Sequence, residues 1–124
     1  MDCRNEIIDL HTFFERWLSG ETEDLSRCEA VLADEFTMIG PGGRLIDRAT
    51  LLDNLREAHG ARAVGIRIEN FTVREIDGLC LATYEEWQDE EGEVRGRLST
   101  ALFHARDDAP HGVEWLHVHE TWLP

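Results

Sequence analysis

Apolar residues in the first part of the chain recur at the spacing of α-helices. From about Asn5 to Ser19 they occupy positions 7, 8, 10, 13, 14, 17 and 18, which forms one broad apolar face. Gly20 is a typical stop for such a helix. Thr22 is predicted to cap a second helix. The buried side of that second helix is predicted to consist of Leu25, Cys28, Val31 and Leu32.

The following residues predict two short strands and a third helix. Asp34–Gly40 departs from helical spacing and indicates a strand, Pro41-Gly42-Gly43 indicates a turn, and Arg44–Ile46 indicates a second strand. Asp47 is predicted to cap a helix that ends at His59-Gly60. The inner side of this helix is predicted to consist of Leu51, Leu52 and Leu55.

From position 64 onward apolar and polar residues alternate, which is the period of β-strands. Ile66 and Ile68 share one phase, whereas the apolar residues at 71 and 73 share the other. The phase change at Glu69-Asn70 predicts a β-bulge, and a bulge bends its strand. Asp77-Gly78 predicts a tight hairpin turn.

Two long strands are predicted next, at 79–88 and 94–105, joined by an acidic loop. If residue 88 at the end of the first strand pairs with residue 94 at the start of the second, Glu85 lies opposite Arg97. This is a favourable cross-strand contact of opposite charges. A loop one residue shorter places Tyr84 opposite Arg97 instead, so the register stays open.

The last strand, within Gly112–Pro124, concentrates ring side chains and acid–base groups. Strand alternation puts one set of side chains on the face that is predicted to line a pocket, namely Trp115, His117, His119 and Thr121. The opposite face carries Glu114, Leu116, Val118, Glu120 and Trp122.

The order of these elements predicts an α+β fold. Three N-terminal helices would roof a strongly curved antiparallel β-sheet, which forms a cone-shaped barrel. The mouth of such a cone is a natural pocket. A chain of 124 residues fits one domain, spanning residues 1–124.

The composition argues against several kinds of partner. The net charge is −14, which disfavours nucleic acids and anionic membrane surfaces. Neither a membrane-spanning segment nor a signal peptide is predicted. The three cysteines are odd in number and widely spaced, which indicates free thiols in a reducing compartment and hence a cytoplasmic location. No Cys-x-x-Cys pair is present, so no zinc or redox motif is predicted.

If the strand phases hold, one sheet face combines aromatic walls with a few polar groups, as a small-molecule pocket requires. Its members are Glu85, Trp87, Arg97, Ser99, Phe103, Trp115, His117, His119 and Thr121. The opposite face is flatter and more apolar, which favours a homodimer interface. That interface is predicted at Leu116, Val118 and Trp122.

Three residues are predicted to carry the chemistry. His119 and Glu85 would transfer protons, because imidazole titrates near neutral pH and a carboxylate can act as its partner. Arg97 would stabilise developing negative charge. The alternatives are a structural Glu85–Arg97 ion pair and a hydrogen-bonded pair of His117 and His119 that fills the cone.

The remaining candidates would bind ligand without reacting with it, and they are Trp17, His11, Trp87, Ser99, Trp115, His117 and Thr121. For His11 the alternative is a hydrogen-bonded core residue. A metal would need a third ligand beside the two strand histidines, and no His-Glu-x-x-His spacing is present. Neither a metal nor another cofactor is therefore predicted.

The chain resembles the nuclear transport factor 2-like (NTF2-like) superfamily, in particular its SnoaL-like and ketosteroid-isomerase-like bacterial proteins. The resemblance rests on the element order, on Asp34-Glu35-Phe36 followed by Gly40–Arg44, on Arg97–Thr100 and on Trp115–His119. It implies the cystatin-like cone fold, a cavity under the first helix and dimers through the convex sheet face. Members include isomerases, cyclases, epoxide hydrolases, dehydratases and non-catalytic domains, so the fold alone does not define the function.

Ketosteroid isomerases use a carboxylate base with a tyrosine and a neutral aspartic acid as oxyanion donors. This chain has one tyrosine, Tyr84, and its first helix offers His11 instead, so that triad is not matched. The superfamily's polyketide cyclases use an acidic residue, for which Glu85 and Asp34 are the candidates.

The sequence therefore predicts a homodimeric protein that binds a small apolar or weakly acidic molecule. Acid–base chemistry of the isomerase, cyclase or lyase type would be its enzymatic form. The alternative is a non-catalytic domain for ligand binding or assembly.

Overall fold

The predicted order of helices and strands is confirmed. The computed structural model describes residues 1–124. The elements are α1 (Cys3–Ser19), α2 (Ser26–Glu29), β1 (Leu32–Ile39), β2 (Leu45–Asp47), α3 (Arg48–Ala58), β3 (Gly65–Ile76), β4 (Leu79–Glu90), β5 (Glu93–Ala105) and β6 (Val113–Trp122).

The six strands form one curved sheet in the order β2-β1-β6-β5-β4-β3. The four long strands pair in antiparallel fashion, as predicted. β6 also pairs in parallel with β1, which the sequence did not predict. The last strand thus lies in the middle of the sheet, and the sheet stays open at the β2 and β3 edges.

Helix boundaries follow local capping. Asp2 accepts a hydrogen bond from the Asn5 N–H at 3.1 Å at the start of α1, and Gly20 ends the helix in a left-handed conformation. Asp47 caps α3 as predicted, with a bond of 2.9 Å from the Thr50 N–H. The predicted cap at Thr22 is wrong, because α2 has only four residues and begins after Leu25.

The bulge predicted at Glu69-Asn70 is confirmed. The β3–β4 register shifts between Glu69 and Thr72, and Asn70 adopts a φ of 56°. A second bulge, not predicted, interrupts β6, where Phe103 pairs with Trp115 but Leu102 pairs with His117. Bulges bend their strands, so both contribute to the curvature of the sheet.

The predicted β4–β5 register is wrong by one residue. β4 continues to Glu90, and Glu91 and Gly92 form a two-residue turn with φ of 55° and 83°. As a result Glu86, and not Glu85, lies opposite Arg97. Since neighbouring strand residues point to opposite faces, this shift moves every β4 side chain to the other side of the sheet.

The core lies between α1 and the concave face of the sheet. Helix α1 buries Ile7, Leu10, Phe13 and Trp17 against it. The sheet contributes Phe36, Tyr84, Phe103 and Trp115. No helix combines the length and apolar composition that crossing a membrane requires.

Candidate functional site

A cavity of about 180 Å³ lies between α1, α3 and the concave sheet face. Most of its lining is apolar: Leu10, Phe14, Leu18, Leu32, Phe36, Met38, Leu51, Leu55, Ile66, Tyr84, Trp115 and Val118. Its polar lining comes from one helix residue and from three neighbouring strands of the sheet, namely His11, Glu86, Gln88, Arg97 and Glu120.

His11 and Glu86 form a buried pair that joins α1 to β4. Each residue is 5% exposed. His11 Nδ1 donates to the Ile7 carbonyl oxygen at 2.7 Å, because a carbonyl can only accept. His11 Nε2 lies 3.0 Å from Glu86 Oε1, so a hydrogen bond joins the imidazole to the carboxyl group.

The pKa shifts of the two partners favour the ionised pair. Burial favours neutral His11, but the facing Glu86 carboxylate and the bond to Ile7 outweigh burial and raise the pKa of His11. Burial would likewise raise the pKa of Glu86, but His11, Arg97 and Gln88 lower it to about 2. The Gln88 amide contributes a hydrogen bond of 2.7 Å to Glu86 Oε2.

Glu120 is the second buried carboxyl group of the cavity. Its environment raises its pKa, whereas that of Glu86 lowers the pKa. Burial and the nearby Glu86 charge raise the pKa of Glu120, although Arg97 opposes them. Arg97 donates to Glu120 Oε1 at 2.9 Å and also lies 3.6 Å from Glu86 Oε2. The Ser99 hydroxyl is 3.4 Å from Glu120 Oε2. Two carboxyl groups on one arginine are thus shifted apart in pKa, an arrangement that suits acid–base chemistry.

Three of the predicted site residues line the cavity: His11, Arg97 and Trp115. The Trp115 indole N–H donates to the buried Glu6 carboxylate at 2.9 Å, which fixes the orientation of the ring. Ser99 is fully buried beside Glu120. Trp17 lies outside the cavity lining, and its indole donates to the Leu55 carbonyl oxygen at 2.7 Å, linking α1 to α3.

The other five predicted site residues lie on the convex face, so their predicted placement in the pocket is wrong. They are Glu85, Trp87, His117, His119 and Thr121. The one-residue shift of β4 turns its two members outward, and the bulge at Leu116 turns the three members on β6 outward. On that face the Trp87 indole N–H donates to Glu85 at 3.0 Å, and His117 Nδ1 is 2.8 Å from the Thr37 hydroxyl.

The predicted dimer surface also changes. Val118 faces the cavity and is buried, so its assignment to the convex face is wrong. Trp122 shares the face of Val118 and lies opposite Arg97, so its assignment to the convex face is wrong as well, and its side chain is 40% exposed. Leu116 is half-buried at the bulge.

Sequence reasoning missed Glu86, Gln88 and Glu120. Two signals could have found Glu86 and Gln88, whereas the alternation of β6 gives no sign of the bulge that turns Glu120 inward. Cys80 and Ala82 are small, and strand alternation puts them on the same face as Glu86. A crowded concave face favours such small side chains. The glycine at position 92 is also a signal, because glycine is favoured in two-residue hairpin turns.

No three His, Cys, Asp or Glu side chains converge in an arrangement that could hold a metal ion. The three cysteines are buried and unbridged.

Comparison with known sequences identifies one family. A family model described as sucrose-6-phosphate phosphohydrolase C-terminal matches residues 3–124. Sucrose-phosphatase 1 of Nicotiana tabacum is 26% identical over 127 residues, which cover 95% of this chain but 30% of that protein. The chain therefore spans about a third of the length of the curated relatives it matches.

Comparison with solved structures confirms the predicted NTF2-like fold. An NTF2-like protein of unknown function from Pseudomonas aeruginosa aligns with a TM-score of 0.89 at 26% identity, over 100% of both chains. The CaMKII hub of S. rosetta aligns with a TM-score of 0.74 at 11% identity, over 96% of this chain and 95% of the hub.

We expect Glu86 to make the folded protein sensitive to acid. Because its folded pKa of about 2 lies below the ordinary value of 4.5, its stabilisation is present above pH 4.5 and is lost as the pH falls towards 2. Over this range the free energy of unfolding, measured with urea, should fall on the order of 2–3 kcal/mol more in wild type than in Glu86→Gln. The contribution of His11 to stability depends on pH in the opposite sense. Because its pKa is raised, that contribution is lost as the pH rises through the raised value.

The matched control is Glu85→Gln, which changes the neighbouring carboxylate on the convex face. It should retain the wild-type acid sensitivity. Equal acid sensitivity in wild type and Glu86→Gln would contradict the assignment of the ionised pair.

Proposed function

The chain belongs to the sucrose-6-phosphate phosphohydrolase C-terminal family, and we propose that it is a small-molecule-binding domain whose cavity exchanges protons with its ligand. The observation that carries this proposal is an apolar cavity lined also by Glu86, His11, Arg97 and Glu120. Apolar walls with a few convergent polar groups of perturbed pKa are typical of binding and active sites.

The size of the cavity supports a ligand with one ring or a short branched body. An engineered apolar cavity of about 150 Å³ in another protein binds benzene, and this cavity has about 180 Å³. We therefore propose an apolar body of roughly that size.

The charges of the polar groups support a neutral or weakly acidic head group. Ionised His11 and Arg97 carry two positive charges against one negative charge on Glu86, and the protonation of Glu120 decides whether a second negative charge balances them. A hydroxyl, carbonyl or carboxyl group fits this balance. A phosphate dianion would meet two carboxyl groups there, so the reaction named in the sucrose-phosphatase relatives is not proposed for this cavity.

Proton transfer is the chemistry that these residues support. The raised pKa of Glu120 suits a group that gives and takes a proton, while Glu86 stays ionised. Arg97, between the two carboxyl groups, would stabilise negative charge that develops on a ligand oxygen. Isomerisation, cyclisation and elimination beside a carbonyl all use such a proton transfer.

The three free buried cysteines support a reducing compartment, and we propose the cytoplasm.

Phenol and toluene, two ring compounds that differ in one hydroxyl, test the cavity. We expect phenol to bind more tightly than toluene and to shift the NMR signal of the Trp115 indole N–H. Glu120→Gln should weaken phenol binding by up to about tenfold, because the net contribution of one hydrogen bond is about 0.5–1.5 kcal/mol. The same change should leave toluene binding unaltered.

The chain provides a matched control at the next residue. His119→Gln alters the convex face and should leave phenol affinity within about twofold of wild type, because it removes no cavity contact. An equal loss of phenol binding in His119→Gln and Glu120→Gln would contradict the proposed site. So would the absence of any shift at Trp115.

Assembly is the second candidate function, supported by the fold shared with the CaMKII hub. The convex face exposes Leu98 by 37%, and Leu102 and Leu116 lie half-buried near it. We propose that two copies pair through this face, since an open sheet face with apolar side chains is suited to an isologous contact.

Sedimentation of the purified protein at micromolar concentration tests this pairing. We expect a dimer that Leu98→Arg converts to a monomer, because a buried unpaired charge opposes association. Val73→Arg, at a position 42% exposed on the edge strand β3, should remain a dimer. A wild-type protein that stays monomeric at all concentrations would contradict the proposal.

A further inference from the structure

A second, polar groove lies beside the cavity and shares two of its lining residues, Gln88 and Arg97. We call it the rim groove. It has a volume of about 350 Å³ and is also lined by Arg62, Arg95, Trp122 and two glutamates of the β4–β5 hairpin. Because the two spaces share side chains, one ligand can contact both.

The rim groove concentrates positive charge in an acidic protein. It contains three of the twelve basic residues in a chain whose net charge is −14. Arg62 is held by Gln88 at 3.0 Å and by Glu90 at 3.5 Å. Arg62 thereby offsets the negative charge of Glu90, so Glu93 carries the remaining negative charge in the groove.

Three side chains that line the rim groove carry N–H groups without a partner within the protein. Arg95 makes no ion pair or hydrogen bond, and its guanidinium carbon lies 3.9 Å from the centre of the Trp122 ring. Arg97 Nε is buried without a partner. Trp122 differs from the other three tryptophans, whose indole N–H groups all donate to protein oxygens.

Apart from the exposed Glu93 carboxylate, the groups without a partner in the rim groove are donors, on exposed Arg95 and Trp122 and on half-buried Arg97, which indicates an anionic or strongly accepting ligand. Stacking on Trp122 holds the Arg95 guanidinium flat and leaves its N–H edge available, which is the geometry that carboxylates and phosphates use. Glu86 and Glu120 line the cavity but not the rim groove, and their carboxyl oxygens lie 3.6 Å and 2.9 Å from the Arg97 guanidinium, which offsets their charge towards an anion at Arg95.

We propose that the rim groove is an oxyanion subsite, which binds the carboxylate or phosphate group of a molecule whose apolar part occupies the cavity. The ligand class is thus an amphipathic acid with a ring-sized apolar body. This inference rests on the proposed function for the position of the apolar part. The oxyanion contact itself rests on Arg95, Arg97 and Trp122.

Binding of four probes to the full chain tests the subsite: benzoate, phenyl phosphate, inorganic phosphate and neutral benzyl alcohol. Benzoate or phenyl phosphate should shift the indole N–H signals of both Trp122 and Trp115 in NMR spectra, whereas benzyl alcohol should shift Trp115 alone. Arg95→Gln should weaken binding of the anionic ring compounds by about tenfold and leave benzyl alcohol within about twofold. The tighter of the two anionic ring compounds identifies carboxylate or phosphate as the preferred group.

The control variant is Arg74→Gln, which removes an exposed arginine on β3 outside the rim groove. It should bind all probes as wild type does. A shift of Trp122 by inorganic phosphate alone, lost in Arg95→Gln, would support the subsite even without a ligand in the cavity.

Two results would overturn the inference: no shift of Trp122 with any anion, or anion affinities that are unchanged in Arg95→Gln. In either case, a benzyl alcohol shift at Trp115 would leave the proposed cavity function standing. Absence of that shift, with Trp122 still responding to anions, would contradict the cavity function and retain the subsite.

Discussion

The buried pair of His11 and Glu86 joins the roof of the cavity to its floor. His11 is oriented from α1 by its bond to Ile7, and Glu86 is oriented from β4 by Gln88 and Arg97. Breaking such a pair by removing one partner leaves an uncompensated charge in the interior and costs about 3–5 kcal/mol. A second contact of the same kind, from Trp115 to Glu6, ties α1 to β6. The space between these two contacts and α3 is the cavity, so its shape depends on α1 being held at a fixed height above the sheet.

The same pair determines the electrostatics of the cavity. Because His11 and Arg97 hold Glu86 ionised, the negative charge of Glu86 contributes to the raised pKa of Glu120. Arg97 then connects the cavity to the rim groove, where Arg95 and Trp122 retain unused donors. The apolar walls, the buried carboxyl group of Glu120 and the external groove with its three arginines therefore adjoin one another.

Element type and order could be predicted from the sequence because they depend on local signals. Helical spacing, the Asp47 cap and the bulge at Glu69-Asn70 are all properties of a few neighbouring residues. The site could be predicted only in part, because it depends on strand phase. The turn at Glu91-Gly92 is shorter than expected and reverses the faces of β4. The bulge at Leu116 breaks no visible alternation, and it reverses the faces of the rest of β6. Arg97 was identified correctly as a cavity residue. Glu85 and His119 were predicted to line the cavity, but their sequence neighbours Glu86 and Glu120 line it instead.

The protonation state of His11 in the unliganded protein tests the central claim most directly. Nitrogen-15 NMR of the His11 ring at neutral pH, assigned by comparison with a His11→Gln variant, reports whether each ring nitrogen carries a proton. An ionised pair with Glu86 predicts protons on both Nδ1 and Nε2, because Nδ1 donates to Ile7 and Nε2 to the carboxylate. A neutral ring with an unprotonated Nε2 would contradict the account, since Glu86 would then be protonated and the charges of the cavity would be different.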